Sequence, residues 1–294
     1  MMQQQDTSPV ISGKEIANVL KKQVKKDVER LQKELNRKPR VISFIVGDNQ
    51  ESKLYLKLRN KACFEVGIDA VQHEFPEAVT FRELVSELEK ANADDQVDGI
   101  FVQLPLPKHL DAQTVLSHIH PSKDVEGFTA ENMGNLVNNN PFLVPCTPQA
   151  VMHILDHHQI PLKGAHVVIV NHSTVVGKPL ALLCLQRNAT VSVAHVFTKD
   201  LKAITTQADV LITAAGVPKL ITKDMVKKDA VVVDVAIVKT DQGVTGDVDF
   251  DEVKEKVKLI TPVPGGVGPV TIASALENMV KATTASRTVK KKDE

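Results

Sequence analysis

Tryptophan is absent from this 294-residue chain, and tyrosine occurs once, at Tyr55. Cysteine is nearly as scarce. Cys63, Cys146 and Cys184 are odd in number, widely spaced and lack a C-x-x-C pair, so neither a disulfide framework nor a zinc ribbon is indicated. Net charge is missing too: 36 Lys+Arg against 36 Asp+Glu leave no field to draw in nucleic acid or an anionic membrane. No apolar run approaches the roughly 18 residues a membrane span needs. The start, MMQQQDTS, lacks the charged and apolar regions of a signal peptide. These absences lead to the expectation of a cytosolic protein with no nucleic-acid and no membrane partner.

What is present is apolar periodicity. The apolar fraction is 43%, and the length exceeds what one core usually organises, so about two domains are expected. Ile16, Val19, Leu20, Val24, Val28, Leu31 and Leu35 recur at steps of three and four, which predicts a helix over 13–36. RVISFIVG (40–47) is a short apolar run ending in glycine, the pattern of a buried strand. The alternation continues with helix 52–66, strand 70–75, helix 80–93, strand 98–104 and a short helix near 111–119. Strands without polar alternation, each followed by a helix, predict a parallel sheet covered on both faces.

After the loop NNNPFLVPCTP (138–148) a second series begins: helix 148–158, strand 166–170, helix 177–188, strand 190–196, helix 199–207, strand 209–215, helix 221–228 and strand 230–236. Here a strand recurs about every 20–25 residues, the period of doubly wound nucleotide-binding units. KLITPV (258–263) reads as a last strand, followed by an amphipathic helix over 270–285 and a frayed tail, TVKKKDE. The expected fold is α/β, with two parallel-sheet domains. Residues 1–145 form the first, which the C-terminal helix 270–294 rejoins; residues 146–269 form the second, Rossmann-like and dinucleotide-binding.

Several stretches could carry chemistry. In SKLYLKLRNK (52–61), Tyr55 and Arg59 stand at i and i+4 on one helix face, so phenol and guanidinium could address one ligand together, although the spacing also suits plain helix surface. VVIVNHSTVVGKPLALL (167–183) is a strand, a turn and a helix opening at Gly177-Lys178-Pro179. Proline is harmless in a first helical turn, whose exposed amides suit a phosphate. Yet G-x-G-x-x-G is missing, and Lys178 precedes proline rather than the Ser or Thr of a Walker A loop, so an ordinary βα turn remains open. The second strand of this series ends in His195-Val-Phe-Thr-Lys199, without the carboxylate that grips a ribose hydroxyl or an arginine for a 2′-phosphate. Gln103 sits at the carboxyl end of a strand, where open α/β sheets place ligands, and Asp124 lies in a turn; each also has a purely local reading. TPVPGGVGPVT (261–271) packs prolines and glycines between a strand and a helix, permitting close backbone approach to a flat ligand. His153 and His157 are spaced for a metal, but no third ligand accompanies them and no metal is assigned.

GDNQESKLYLKLRNKACFEVGI, DGIFVQLPLPKHL, PSKDVEGFTAENMGNL, PCTPQAV, STVVGKPLALLC, AVVVDVAI, GDVDF and TPVPGGVGPVTIA follow one another in this order. Together they resemble the methylenetetrahydrofolate dehydrogenase/methenyltetrahydrofolate cyclohydrolase family, the bifunctional FolD type, over roughly residues 9 to 285. The resemblance implies a homodimer of two-domain subunits with a folate cleft between the domains. It implies tetrahydrofolate derivatives as substrates and NADP or NAD as cofactor, NADP being usual in the family. It also implies oxidation of 5,10-methylenetetrahydrofolate followed by hydrolysis to 10-formyltetrahydrofolate. On this resemblance Tyr55 stacks on the folate ring, Arg59 holds the place of the catalytic cation, Gln103 orients it, and Asp124 binds the pterin. Pro264, Gly265 and Gly266 line the folate pocket, while Asn171, His172, Ser173 and Ile237 contact the dinucleotide.

The departures from the family pattern carry consequences. Arg59 stands where the family has lysine; a desolvated lysine can shed its proton, but a guanidinium cannot. The hydrolytic half, which must take a proton from attacking water, is therefore the weakened one, and a dehydrogenase without hydrolysis, or a folate-binding homologue without turnover, are the alternatives. Asn171 replaces the usual glycine, His172 an arginine or small residue, Ala236 a glycine and Val238 an asparagine. Loss of the arginine tilts the cofactor towards NAD or mixed use. Glu126 for the customary aspartate is a milder change.

Overall fold

The computed structural model describes residues 9–241 and 243–293. The chain sorts into two compact units: one holds Asn18–Cys146 and the residues from Ile272 onward, the other Thr147–Thr271 and the residues up to Ala17.

In the first unit β1 (Arg40–Val46) is the middle strand of a parallel sheet, flanked by β2 (Asp69–Phe75) and β3 (Gly99–Val102) in the order β2-β1-β3. Around it lie α1 (Gly13–Leu35), α2 (Gln50–Val66), α3 (Phe81–Ala93), α4 (Ala112–Leu116) and α5 (Ala130–Val137). Successive strand residues point to opposite faces, and the core divides accordingly. Val41 and Phe101 pack with Val24 and Val28 of α1 and with Ala62, Cys63 and Val66 of α2. Ile42, Phe44, Ile100 and Val102 pack instead with Leu84 and Leu88 of α3 and Val115 of α4. Ser43 shares the Val41 face and pairs in register with Phe101, so the one polar residue of RVISFIV that lies in mid-strand points to the α2 side.

Two charged side chains of this unit, Asp98 and Lys123, are buried with several partners each. The Asp98 carboxylate takes both Arg37 guanidinium nitrogens at 2.6 and 2.9 Å and the Arg40 amide at 2.8 Å. A capping box of Thr80 and Glu83 opens α3. Its last carbonyls, Ala91 and Asn92, together with that of Asp94, accept from the Lys123 ammonium, a cation placed where the helix dipole favours it.

The second unit is a five-stranded parallel sheet of β4 (His166–Val170), β5 (Thr190–Ala194), β6 (Val210–Thr213), β7 (Val231–Asp234) and a final β10 (Leu259–Ile260), in the order β10-β7-β6-β4-β5. Helices α6 (Cys146–His157), α7 (Gly177–Gln186), α8 (Leu201–Thr205) and α9 (Phe250–Val253) connect them, and β8 (Val238–Thr240) with β9 (Gly243–Thr245) forms an antiparallel hairpin. The segment at Val10 lies beside Ile260: the Ile11 amide donates to the Ile260 carbonyl at 2.8 Å, and the Ile260 amide to that of Pro9 at 2.7 Å.

Three expectations change. Residues 221–228 do not form a helix: Ile221 exchanges backbone bonds with Asp247 and Asp249, and only a 3-10 turn at Lys223–Met225 remains. The spacing of Leu220, Met225 and Val226 imitates a helical stripe, but it serves a turn that tucks into the sheet core. β5 ends at Ala194 because the His195 amide and carbonyl both turn onto Thr198. The last helix, α10, is longer than 270–285, running Val267–Asp293 through most of the tail expected to fray. From Ile272 onward it belongs to the first unit, where Ala275, Leu276, Met279 and Ala282 join the α1 and α2 core.

Candidate functional site

Tyr55 and Arg59 lie one turn apart on α2. Arg59 is 1% exposed, the largest side chain so completely buried. Its guanidinium carbon stands 3.8 Å from the centroid of the Phe101 ring, and Nη2 donates to the Ser43 hydroxyl. Nε has no hydrogen-bond partner among the described residues. A buried cation needs compensation, and here the ring face and one hydroxyl supply it from the β1–β3 pair beneath. Both are residues that the sequence reading did not single out. The signal for Ser43 was there, a hydroxyl in mid-strand between apolar neighbours. Phe101 carried none.

Gln103 continues the β3 ladder, its amide donating to the Phe44 carbonyl at 2.9 Å, while its side-chain Nε2 turns to the Leu104 carbonyl at 2.8 Å. Among the described residues, Ser43 and Phe101 are the groups in recorded contact with the Arg59 guanidinium.

Asp124 organises a turn. Its Oδ1 accepts from the Gly127 amide at 3.0 Å, and its Oδ2 from the Thr129 amide at 2.7 Å and from Asn132 Nδ2 at 3.0 Å. Gly127 has φ +72°, and a methyl group there would come within 2.9 Å of the Leu143 carbonyl oxygen, so the turn needs glycine on both counts. From α10, Asn278 Nδ2 donates to the carbonyls of Val125 at 2.9 Å and Val144 at 2.8 Å. The turn is pinned from inside by Asp124 and from outside by Asn278.

Glu126 lies in this pinned turn. Burial raises its carboxyl to about 8, Arg59 opposing and Asp124 adding to the shift. Burial likewise pushes the Cys63 thiol up to about 11 and raises Tyr55 and Cys146, whose neighbours include Arg59 and Glu126. Phenol and thiols are therefore protonated near neutrality, and the titrating group of the cluster is the carboxyl. Its folded pKa lies above the ordinary 4.5, so the stability it contributes is complete below that value and is lost as pH rises through about 8. Glu126→Gln removes the ionisation. The stability of this variant relative to the native protein should rise between pH 5 and pH 9 in denaturant melts, and an unchanged difference would show that Glu126 is not desolvated.

In the second unit the loops after β4 and β6 meet where strand order reverses, the position at which open α/β sheets bind ligands. Asn171 spans it. Its Oδ1 accepts from the amides of Ser173 at 2.8 Å and Gly177 at 3.1 Å, and its Nδ2 donates to the Ala214 carbonyl at 2.7 Å. A methyl group on Gly177 would lie 2.1 Å from the Asn171 carbonyl oxygen, which is why α7 starts on glycine. Val176 precedes it with no side-chain cap, and the first amides of the helix are taken instead by Asn171 Oδ1 and the Ser173 carbonyl, which accepts from Lys178 at 3.0 Å. The His172 and His195 rings lie 4.7 Å apart, and Ile237 is 67% exposed. Asn171, His172 and Ser173 lie on the loop after β4, at this switch point. Asp247 ties the loop after β6, accepting from Thr213 Oγ1 and the amides of Ala215 and Val217. Asp234, raised to about 6 by burial, accepts from Val248 and Ala236.

Pro264, Gly265 and Gly266 also fall in the second unit, apart in this partition from Tyr55, Arg59, Gln103 and Asp124. Gly266 serves the backbone: a methyl on Gly13, where α1 begins, would lie 1.7 Å from its carbonyl oxygen. Gly265, at φ +106°, has open space at its Cβ position. His153 meets Gln149 at 3.3 Å and His157 packs edge-on against His158. Among the described residues no group of three or more His, Cys, Asp or Glu could hold a metal, and no helix is long and apolar enough to cross a membrane.

A five-stranded parallel sheet with a switch-point loop pair, together with a second parallel α/β unit, defines the class of two-domain α/β dinucleotide-binding proteins. Residues 145–287 match the tetrahydrofolate dehydrogenase/cyclohydrolase NAD(P)-binding domain, and residues 11–126 match the catalytic domain of the same family. The chain belongs to the tetrahydrofolate dehydrogenase/cyclohydrolase family. It is 48% identical to the bifunctional protein FolD of Methanosarcina barkeri over 273 residues, 93% of this chain and 95% of that one. The crystal structure of the bifunctional FolD methylenetetrahydrofolate dehydrogenase/cyclohydrolase from Campylobacter jejuni superposes with a TM-score of 0.92 at 43% identity, covering 94% of this chain and 98% of the other. The Trypanosoma brucei methylenetetrahydrofolate dehydrogenase-cyclohydrolase, solved with NADP cofactor and inhibitor, gives a TM-score of 0.91 at 34% identity, covering 96% and 98%.

Proposed function

We propose that this protein oxidises 5,10-methylenetetrahydrofolate to 5,10-methenyltetrahydrofolate with NAD(P)+ and hydrolyses the product to 10-formyltetrahydrofolate, acting as a cytoplasmic homodimer. Family membership over most of the chain supports the reaction, and the buried Arg59 over Ser43 and Phe101, one turn from the half-buried Tyr55, is the observation that carries the site. Bound nicotinamide would accept the hydride, with Asn171, His172, Ser173 and Ile237 holding the dinucleotide. The chain's own share of that step is orientation and exclusion of water. Tyr55, kept protonated by burial, offers a flat face and a neutral hydroxyl to the pterin. Gln103, Asp124, Pro264, Gly265 and Gly266 complete the proposed folate contacts.

Arg59 makes the two half-reactions unequal. Its fixed charge beside a product that becomes cationic raises the barrier to oxidation, and it offers no base for hydration. This favours a second reading, a dehydrogenase that releases methenyltetrahydrofolate. Purified protein mixed with methylenetetrahydrofolate and either NAD+ or NADP+ should reduce nicotinamide, with methenyl absorbance rising and then decaying faster than in buffer alone. Reduction with no enzymatic decay selects the second reading. No reduction with either cofactor, while folate still binds, defeats both.

A further inference from the structure

The second unit contains a fully buried carboxyl that the proposed chemistry leaves without a role. Asp247 follows β9, and its backbone carbonyl accepts from the Ile221 amide at 2.9 Å. Its side chain reaches across to the loop after β6. Oδ2 accepts from the Thr213 hydroxyl and the Ala215 amide, both at 2.6 Å, and Oδ1 accepts from the Val217 amide at 2.8 Å. All three recorded partners are neutral donors, and their bonds offset the cost of taking a carboxylate out of water. The segment that carries Asp247 is itself seated. The Val248 amide donates at 2.9 Å to Asp234, at the end of β7, and a methyl group on Gly246 would collide with that same carboxylate.

The two amides that Asp247 holds lie on either side of Gly216. This glycine has φ +73° and no described atom within 4 Å of the position a Cβ would take, and Ala215, Gly216 and Val217 are all exposed. From the other side Asn171 Nδ2 donates to the Ala214 carbonyl at 2.7 Å, which ties the loop to the one after β4. A bare stretch of backbone is thereby held between two anchors, beside the point where strand order reverses. Glycine admits a ligand to close backbone approach, so the Ala214–Val217 loop fits the dinucleotide of the matched NAD(P)-binding domain.

We propose that Asp247 is a positioning residue for the dinucleotide: acting through the loop rather than on the ligand, it fixes the amides of Ala215 and Val217 and so sets Gly216 in the switch-point crevice. This rests on the functional reading above and assigns a residue within it. A loop that must find its bound shape at each encounter loses affinity to the entropy of ordering. Only a carboxylate suits the position. Asparagine offers one acceptor oxygen where three donors converge, and its NH2 group would face an amide N–H.

The test titrates NADH and NADPH, followed by nicotinamide fluorescence, into the native protein, Asp247→Asn and Gly216→Ala. Tetrahydrofolate binding, and kcat and KM for the oxidised cofactor, are measured in parallel. Asp247→Asn should raise the dinucleotide Kd at least about tenfold, the scale of one buried donor left unpaired. The KM for the cofactor should rise in step, while kcat at saturating cofactor and the tetrahydrofolate Kd stay near the native values. A general structural defect would instead weaken both ligands and lower kcat. Gly216→Ala leaves the carboxyl intact and puts a methyl group into the crevice at a positive φ. It too should weaken dinucleotide and spare tetrahydrofolate, and it decides the matter if a thermal melt shows Asp247→Asn unfolded. Native-like dinucleotide affinity in folded Asp247→Asn or in Gly216→Ala, or equal losses for the two ligands, overturns the proposal. Native protein that binds dinucleotide yet reduces none defeats instead the functional reading, and the binding ratios still decide the role of Asp247.

Discussion

Arg59→Lys should raise the rate of methenyltetrahydrofolate hydrolysis at least about tenfold more than it raises hydride transfer, the scale on which one well-placed acid–base group acts. Arg59 itself is withdrawn from solvent, 1% exposed. An ammonium there loses hydration that the Phe101 face and one hydroxyl replace only in part. Desolvation favours the neutral amine, which is what a proton acceptor requires, whereas guanidinium holds its protons under the same stress. The substitution also gives up the close stack on Phe101 and part of the buried volume, at a cost of about 1–2 kcal/mol. The variant is therefore expected to be less stable and a better hydrolase. Separate measurement of nicotinamide reduction and methenyl decay decides it: an equal gain in both, or no gain, removes residue 59 from the proton chemistry.

Asn278→Leu should cost about 1–3 kcal/mol, because it takes the side-chain donor from the buried Val144 carbonyl and leaves Val125 with only the weak Cys146 thiol. Those carbonyls, Val125 and Val144, belong to two segments that also meet directly, at Gly127 and through the Cys146 thiol, and that α10 ties together. Leucine branches at the same carbon and is the larger residue, so the loss comes from hydrogen bonding and tighter packing, not from a cavity. Chemical denaturation should show a lowered midpoint. A change below about 0.5 kcal/mol would mean that the carbonyls find other partners and that α10 does not brace the turn.

The order of strands and helices was legible in the chain because it rests on period and length. RVISFIV can only be a strand covered on both faces, and the apolar steps through Val24, Val28 and Leu31 can only be a helix with one buried stripe. The hairpin at Val238–Thr245 and the turn at Lys223–Met225 were not legible. KTDQGVT has no alternation to reveal strands, and the apolar spacing around Met225 fits a helix as well as it fits a turn folded into the core.

The candidate site divides in the same way. That Tyr55 and Arg59 share a helix face follows from residue spacing alone, since 3.6 residues make a turn, and the inability of arginine to give up a proton is a property of the residue type. Which groups surround that cation is different in kind. Ser43, Phe101, Glu126 and Asn278 lie far from it in the chain, and only the parallel pairing of β1 with β3 and the return of α10 bring them to one unit. Burial is a property of that assembly: no local pattern distinguishes Glu126, whose carboxyl is desolvated, from Asp124, whose carboxyl is consumed by three donors. The chain by itself determined the chemistry available at each position. The tertiary structure decided which of those groups are withdrawn from water, because solvation depends on neighbours that the order of residues does not name.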